Sequence, residues 1–330
     1  MQEFGIDLGT ANTVVCDGAG EILIDEPSVL LAKPGFPRRS VVAVGRDACE
    51  LIGRSPAGVQ AVRPLQDGVI TDLESARLYL RSVLYRITPS PWQRARVHAV
   101  IGVPVGATAL ERRALLEAAD EAGIRRARAL PEPIAGAVGC GIDVLERRAH
   151  LVVDVGGGTA EVSAFCYGGI LAHRSCRVAG DEMTLAVTHY LREQHQILIG
   201  ELTAEQVKIQ TSTADAPTVT VRGRDASSGR PRVASIGLDE LVEVVRPVVS
   251  SIIQTLSACL DDLPPQAVED ILADGVTLFG GGSLTRNFAS SLELAFGFPV
   301  KLADRPLTCV AEGAALALRN ADLLNSYGSA

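Results

Sequence analysis

Two short stretches carry residue types that could hold a chain of phosphates. They are Asp7-Leu8-Gly9-Thr10-Ala11-Asn12 and Asp154-Val155-Gly156-Gly157-Gly158-Thr159. In each, an apolar run ends in Asp and a tight turn follows. Phosphate oxygens need backbone N–H donors at close range, and glycine permits that approach because it has no Cβ. One such hairpin, taken alone, does no more than reverse the chain. Two that match imply more. The paired carboxylates Asp7 and Asp154 would repel a polyanion unless a divalent cation lay between them. Magnesium, held through oxygen ligands and water, suits that position. A third run, Gly280-Gly281-Gly282, follows an apolar segment and precedes a helix-like one. A nucleotide could lie there against backbone and a helix N-terminus.

These turns need strands to present them. Phe4–Leu8, Asn12–Cys16, Glu21–Ile24 and Val29–Leu31 read as short strands. Leu73, Ala76, Leu80 and Leu84 share one face of a helix predicted over Thr71–Arg86. Val97–Val103 reads as a buried strand ended by Pro104. Thr108, with Glu111 three residues on, makes a capping box for a helix that stops near Gly123. Ala127–Leu130 is strand-like, and a helix starts around Pro133. The pattern then restarts. Leu151–Val155, Thr159–Tyr167 and Gly169–Val178 read as antiparallel strands, and Asp181–Gln194 as a helix. The polar stretch Thr211–Arg232 should hold a small hairpin. Leu238–Leu260 is a long helix, either core or interface. Val276–Phe279 is a strand, and Thr308–Arg319 the last helix. Strands alternating with helices argue an α/β fold. Phe4–Val15 resembles Leu151–Val162, so the chain contains an internal repeat and two related lobes are expected.

The bulk composition agrees. At 330 residues the chain is too long for one simple core. Aromatics are only 4%, so Val, Leu, Ile and Ala must build the interior, as in buried sheets flanked by helices. With 31 basic and 39 acidic residues the net charge is -8, which argues against general nucleic-acid binding. Seven cysteines are scattered without any CxxC pair, so neither a disulfide framework nor a zinc site is read. No secretory leader and no apolar run of membrane-spanning length are read.

Several ordered blocks carry a more specific resemblance. They include Gly5-Ile-Asp-Leu-Gly-Thr-Ala-Asn-Thr, Asp25-Glu-Pro-Ser-Val, Arg63-Pro-Leu-Gln-Asp-Gly-Val-Ile and Glu132-Pro-Ile-Ala-Gly-Ala-Val-Gly. Asp154-Val-Gly-Gly-Gly-Thr, Leu198-Ile-Gly-Glu-Leu-Thr-Ala-Glu-Gln-Val-Lys and Pro306-Leu-Thr-Cys-Val-Ala-Glu-Gly continue the series. Over nearly its whole length the chain resembles the actin, heat-shock chaperone and sugar kinase superfamily, and within it the bacterial MreB-type proteins. The resemblance implies an actin-like two-lobed ATPase fold. Each lobe would be a mixed sheet flanked by helices, with a smaller inserted subdomain. Lobe I would comprise 1–140 plus 308–330, with an insert at about 33–66. Lobe II would comprise 141–307, with an insert at about 182–240.

Roles follow at the matching positions. Gly9, Thr10, Ala11 and Asn12 would wrap the β- and γ-phosphates of ATP, with Gly156, Gly157, Gly158 and Thr159 opposite. Asp7 and Asp154 would face magnesium through water. Glu132 would orient the attacking water, with Thr159 as its partner. Glu205 and Lys208, three apart on one helix face, would touch ribose and adenine. Gly180 and Asp181 would lie near the sugar, and Gly280–Gly282 near the adenosine. Read without the resemblance, Glu132 is a dipole-favoured first-turn residue, and Glu205 with Lys208 a solvated pair. One departure is Ala160, where the family has a second Thr.

The resemblance further implies a slow magnesium-dependent ATPase that polymerises with itself and organises cell shape. Its setting would be the cytoplasm, peripheral at the inner face of the plasma membrane, with cell-wall synthesis and division proteins as partners. Trp92, in a Pro-rich loop with Arg94 and Arg96, would either enter the membrane interface or fold back onto the protein. A phosphotransferase of the same superfamily, or a nucleotide-binding scaffold without turnover, are the alternatives.

Overall fold

The computed structural model describes residues 2–33, 35, 39–55, 58–94 and 96–328. Parts of the insert expected at about 33–66 therefore lie outside the described residues, as does Ala95 of the Trp92 loop.

Two five-stranded sheets repeat one topology. In the first, β1 (Gln2–Leu8), β2 (Asn12–Asp17) and β3 (Ile22–Pro27) form an antiparallel meander. β4 (Val97–Val103) and β5 (Arg126–Pro131) then add in parallel, giving the order β5-β4-β1-β2-β3. In the second, β6 (His150–Val155), β7 (Ala160–Cys166) and β8 (Gly169–Cys176) form the meander. β9 (Val276–Phe279) and β10 (Val300–Leu302) add in parallel, giving β8-β7-β6-β9-β10. The internal repeat in the sequence is thus a repeat of whole sheets.

The helices begin and end where local chemistry dictates. α1 (Leu73–Ile87) starts after Asp72, whose carboxylate accepts the Ser75 N–H at 3.3 Å. α2 (Ala109–Ala122) has the expected capping box between Thr108 and Glu111, and Gly123 closes it with φ 113°. α3 (Glu132–Gly139) follows β5 directly. In the second half come α4 (Gly180–His195), α5 (Glu201–Thr213) and α6 (Leu238–Asp261). α6 is long and apolar enough to cross a membrane. Its stripe of Leu241, Val245, Ile252, Leu256 and Cys259 is buried in the core of the second sheet instead. The polar stretch gives the expected hairpin, Thr218–Asp225 with Pro231–Gly237.

α7 (Phe288–Phe296) packs beside β10, and α8 (Cys309–Ala317) follows. α8 stops before the expected Arg319, and an unexpected short helix, α9 (Ala321–Ser326), follows. Asn320 caps it by accepting the Leu323 N–H at 3.1 Å.

α3 and α8 lie between the sheets. α3 touches β4 and β5 of the first sheet and β6 and β7 of the second, and α8 lies against β1, β2 and β4 of the first. The two helices also touch each other backbone to backbone. A Cβ on Gly313 would sit 1.8 Å from the Ala135 carbonyl oxygen, so only glycine fits. Val100, Leu130, Ile134, Val152, Phe165 and Phe279 bury around this crossing, a third core between those of the two sheets.

Candidate functional site

The two glycine turns are built alike. The Gly9 N–H donates to the Asn12 carbonyl at 3.0 Å, and the Gly156 N–H donates to the Thr159 carbonyl at 2.9 Å. Each turn joins two antiparallel strands in matching register, with Asp7 opposite Val14 and Asp154 opposite Glu161. The turns face one another across the space between the sheets. A Cβ built on Gly157 would lie 2.7 Å from the Ala11 Cβ, and one on Gly158 would lie 3.1 Å from Thr10 Oγ1. Side chains there would collide with the opposite turn, so the cradle depends on their absence.

Four carboxyl groups gather behind the turns. Burial pushes Asp7 up to about 7. Burial also holds Asp154 well above the usual carboxylate range, with the charges of Asp7 and Glu161 adding to it. Glu132, the first residue of α3, is raised by burial and then by Asp7, Glu161 and Asp154. Glu161 is pushed up to about 7 by burial, although the Val105 and Gly106 N–H groups partly offset this. No Lys or Arg among the described residues offsets the mutual repulsion of these four groups. The cluster therefore has the chemistry of a site completed by a cation. Among the described residues no three acidic, His or Cys side chains converge closely enough to cage a metal directly. That geometry fits a magnesium ion held through water and phosphate oxygens.

The remaining expected residues join the same cleft from the second sheet's side. The Asp181 N–H donates to the Gly157 carbonyl at 2.8 Å, and Gly180 begins α4 beside Gly156. Burial raises the Asp181 carboxyl, against the pull of Arg63 and Lys208. Lys208 donates to the Gly180 carbonyl at 3.1 Å and pairs with Glu205 at 2.7 Å. Glu205 also accepts from Thr184 at 2.6 Å. This pair is therefore anchored to the start of α4 and is not merely solvated. Gly280 lies against Asp154, where a Cβ would be 2.4 Å from Oδ1. The helix expected after these glycines opens as a 3-10 turn and resumes as α7 after a short break. Gly281–Leu284 form a single 3-10 turn, and α7 begins only at Phe288.

Three contributors were given no site role from sequence. Asp67 and Gly68, both with positive φ, turn a two-residue hairpin whose Gly68 N–H donates to Thr10 Oγ1 at 2.9 Å. Asp-Gly between apolar residues is a hairpin signal that could have found it. Glu161, 2% exposed, accepts the Val105 N–H at 3.0 Å and so ties β7 to the loop after β4. Arg63 forms an ion pair with Glu201 at the start of α5.

Trp92 sits in a short helix, Pro91–Arg94, and is 82% exposed, so it does not fold back onto the protein. Arg94 is engaged locally. It donates to the Thr88 and Pro89 carbonyls at 2.7 and 2.8 Å and lies over the Tyr85 ring at 4.1 Å.

Repeated sheets, a cleft lined by twin glycine turns and an acidic floor define the actin-like class of two-lobed folds. MreB5 of Spiroplasma citri bound to ADP matches with a TM-score of 0.89 and 30% identity, over 98% of each chain. MreB 5 of the same organism bound to AMPPNP gives 0.86 and 33%, over 94% of each chain. A MamK double helical filament shares the fold, with a TM-score of 0.78 and 24% identity over 96% of this chain and 98% of that one.

The MreB/Mbl protein family model matches residues 1–326. The cell shape-determining protein MreB of Escherichia coli strain K12 is 37% identical over 328 residues, 97% of this chain and 94% of that relative. Mbl of Bacillus subtilis strain 168 is 34% identical, over 98% of this chain and 97% of that relative. The chain belongs to the MreB/Mbl family.

Proposed function

We propose that the chain binds ATP in the cleft between its lobes, hydrolyses it slowly and forms ATP-dependent filaments that organise cell shape. The observation that carries this reading is the pair of matching turns, Gly9–Asn12 and Gly156–Thr159, opposed across a gap too narrow for a Cβ at Gly157. Their backbone N–H groups would hold the β- and γ-phosphates from both sides. Asp7 and Asp154 would hold magnesium through water, and the ion would neutralise phosphate charge and orient the oxygens. Glu132 would orient the attacking water in line with the terminal phosphate, with Thr159 beside it. Gly180, Asp181, Glu205, Lys208 and Gly280–Gly282 would surround the adenosine.

The nucleotide-bound S. citri relatives support the nucleotide, and the cell-shape relatives support the role. The lobe boundaries read from sequence, 1–140 with 308–330 and 141–307, belong to the same proposal. So does a cytoplasmic setting at the inner membrane surface, among cell-wall synthesis and division proteins. The exposed Trp92 supports peripheral membrane contact.

Sedimentation and light scattering with ATP and magnesium, with and without lipid, test the assembly. Polymer that appears only with nucleotide is the expected result, and none across a range of protein and salt concentrations would refute it. Phosphate release should fall about 100-fold in Glu132→Ala. An equal rate in wild type and variant would favour a scaffold without turnover. Ala160, buried at the start of β7 where the family has a hydroxyl, keeps that second reading in play.

A further inference from the structure

Seven cysteines are all unpaired, and the fold brings two of them together at the crossing of α3 and α8. Gly139, the last residue of α3, lies so close to Cys309 that a Cβ there would be 1.9 Å from the Cys309 carbonyl oxygen. Cys140 follows directly and Cys309 opens α8, so the backbone contact at Gly139 brings the two residues together, and their thiols interact. Both line a cavity of about 480 Å³, together with His150, Lys301, Asp304 and Arg305. Cys140 is half-buried, whereas Cys309 is 2% exposed. A reagent in the cavity therefore meets Cys140 first, with Lys301 beside it, while Arg305 is paired with Glu312 and Asp274 and Asp304 also line the wall.

We propose that Cys140 and Cys309 form a reversible dithiol–disulfide site, oxidised by a low-molecular-weight disulfide of the glutathione type entering this cavity. Interaction with the Cys309 thiol holds Cys140 below the usual thiol range, against burial and the charges of Glu312 and Asp304. The same interaction, with burial, pushes Cys309 far up. Cys140 is thus the attacking group and Cys309 the resolving one.

In the first step Cys140 loses its proton to solvent and attacks one sulfur of the reagent. The reagent's S–S bond breaks, one thiolate leaves and is protonated, and a mixed disulfide remains on Cys140. In the second step Cys309 gives up its proton and attacks the Cys140 sulfur, expelling the second small thiol. Two protein thiols are oxidised to one disulfide, and one small disulfide is reduced to two thiols. The product links the end of α3 to the start of α8. A thiol reductant runs the sequence backwards.

The test treats the purified full chain with oxidised glutathione, blocks remaining thiols by alkylation and maps the peptides by mass spectrometry. Free thiols should fall from seven to five, with one Cys140–Cys309 crosslinked peptide, and dithiothreitol should restore all of them. Cys309→Ser should retain one glutathione on Cys140. In Cys140→Ala, Cys309 should stay unmodified. The wild-type map needs no variant to fold. If other cysteines oxidise while Cys140 and Cys309 are both alkylated as thiols, the proposal fails. It fails equally if Cys140 takes up no glutathione in a folded Cys309→Ser.

Discussion

The two hairpins that face each other share a backbone and differ in what they do with it. Gly9 and Gly156 close the same turn, but the first carries Thr10 and Ala11 where the second has Gly157 and Gly158. The Ala11 methyl already occupies the space that a side chain at Gly157 would need. Only one of two opposed turns can bear side chains, and the first sheet's turn does. Behind the turns the difference reverses. Thr13 spends its hydroxyl on Ser28 at 2.8 Å and Val14 is buried in apolar core, so β2 acts as a wall. At the matching positions β7 has Ala160 and Glu161, and Glu161 reaches across to the opposite lobe. A repeat in fold has therefore not imposed a repeat in chemistry. The polar reach is concentrated in the second hairpin and the rigidity in the first.

The largest expected effect tests the asymmetry of the turns. Gly157→Val should weaken binding of a fluorescent ATP analogue about 100-fold, through steric overpacking and lost charge-assisted hydrogen bonds. Ala11→Gly should change it only a few-fold. Equal effects would erase the distinction.

The next concerns the acidic floor in the absence of nucleotide. Asp7 and Glu161 keep their protons in the folded state up to about 7, whereas the unfolded chain releases them near the ordinary carboxyl values of 3.8 and 4.5. Between those limits the folded state binds more protons, so stability should fall as pH rises from about 4 to 7. The loss should be several kcal/mol by denaturant melts. Glu161→Gln should shrink it, and stability flat across this range would show that the floor is not strained.

Val14→Ala should cost about 2 kcal/mol through loss of buried methyls, with nucleotide affinity unchanged. Glu161→Gln, at the matching place, should leave the ligand-free protein as stable or more stable at neutral pH. The smallest effect is that of Thr13→Ala, about 1 kcal/mol for one buried hydrogen bond. Were Thr13→Ala to alter phosphate release more than stability, the first hairpin would not be a mere wall.

Much of this arrangement was legible in the sequence for local reasons. Asp-x-Gly after an apolar run, a Thr-to-Glu capping box and Gly123 at a helix end are written in neighbouring residues. What escaped depends on tertiary surroundings. Glu161 sits among Ala160, Val162 and Ala164, and its burial follows only once β7 is known to be covered by the opposite lobe. The Asp67-Gly68 hairpin has strands of only two residues, too short for any periodicity. The Gly280–Gly282 run looked like an entry into a helix, but Gly281–Leu284 make one tight turn before Asn287 lets α7 begin. α9 spans six residues, barely more than a turn and a half of helix.

The crossing of α3 and α8 between the sheets has a mechanical consequence. With backbone pressed on backbone at Gly139 and Gly313, these helices have no room to slide, so they work as an axle. Away from this crossing the Arg63–Glu201 ion pair makes a second tie between the halves.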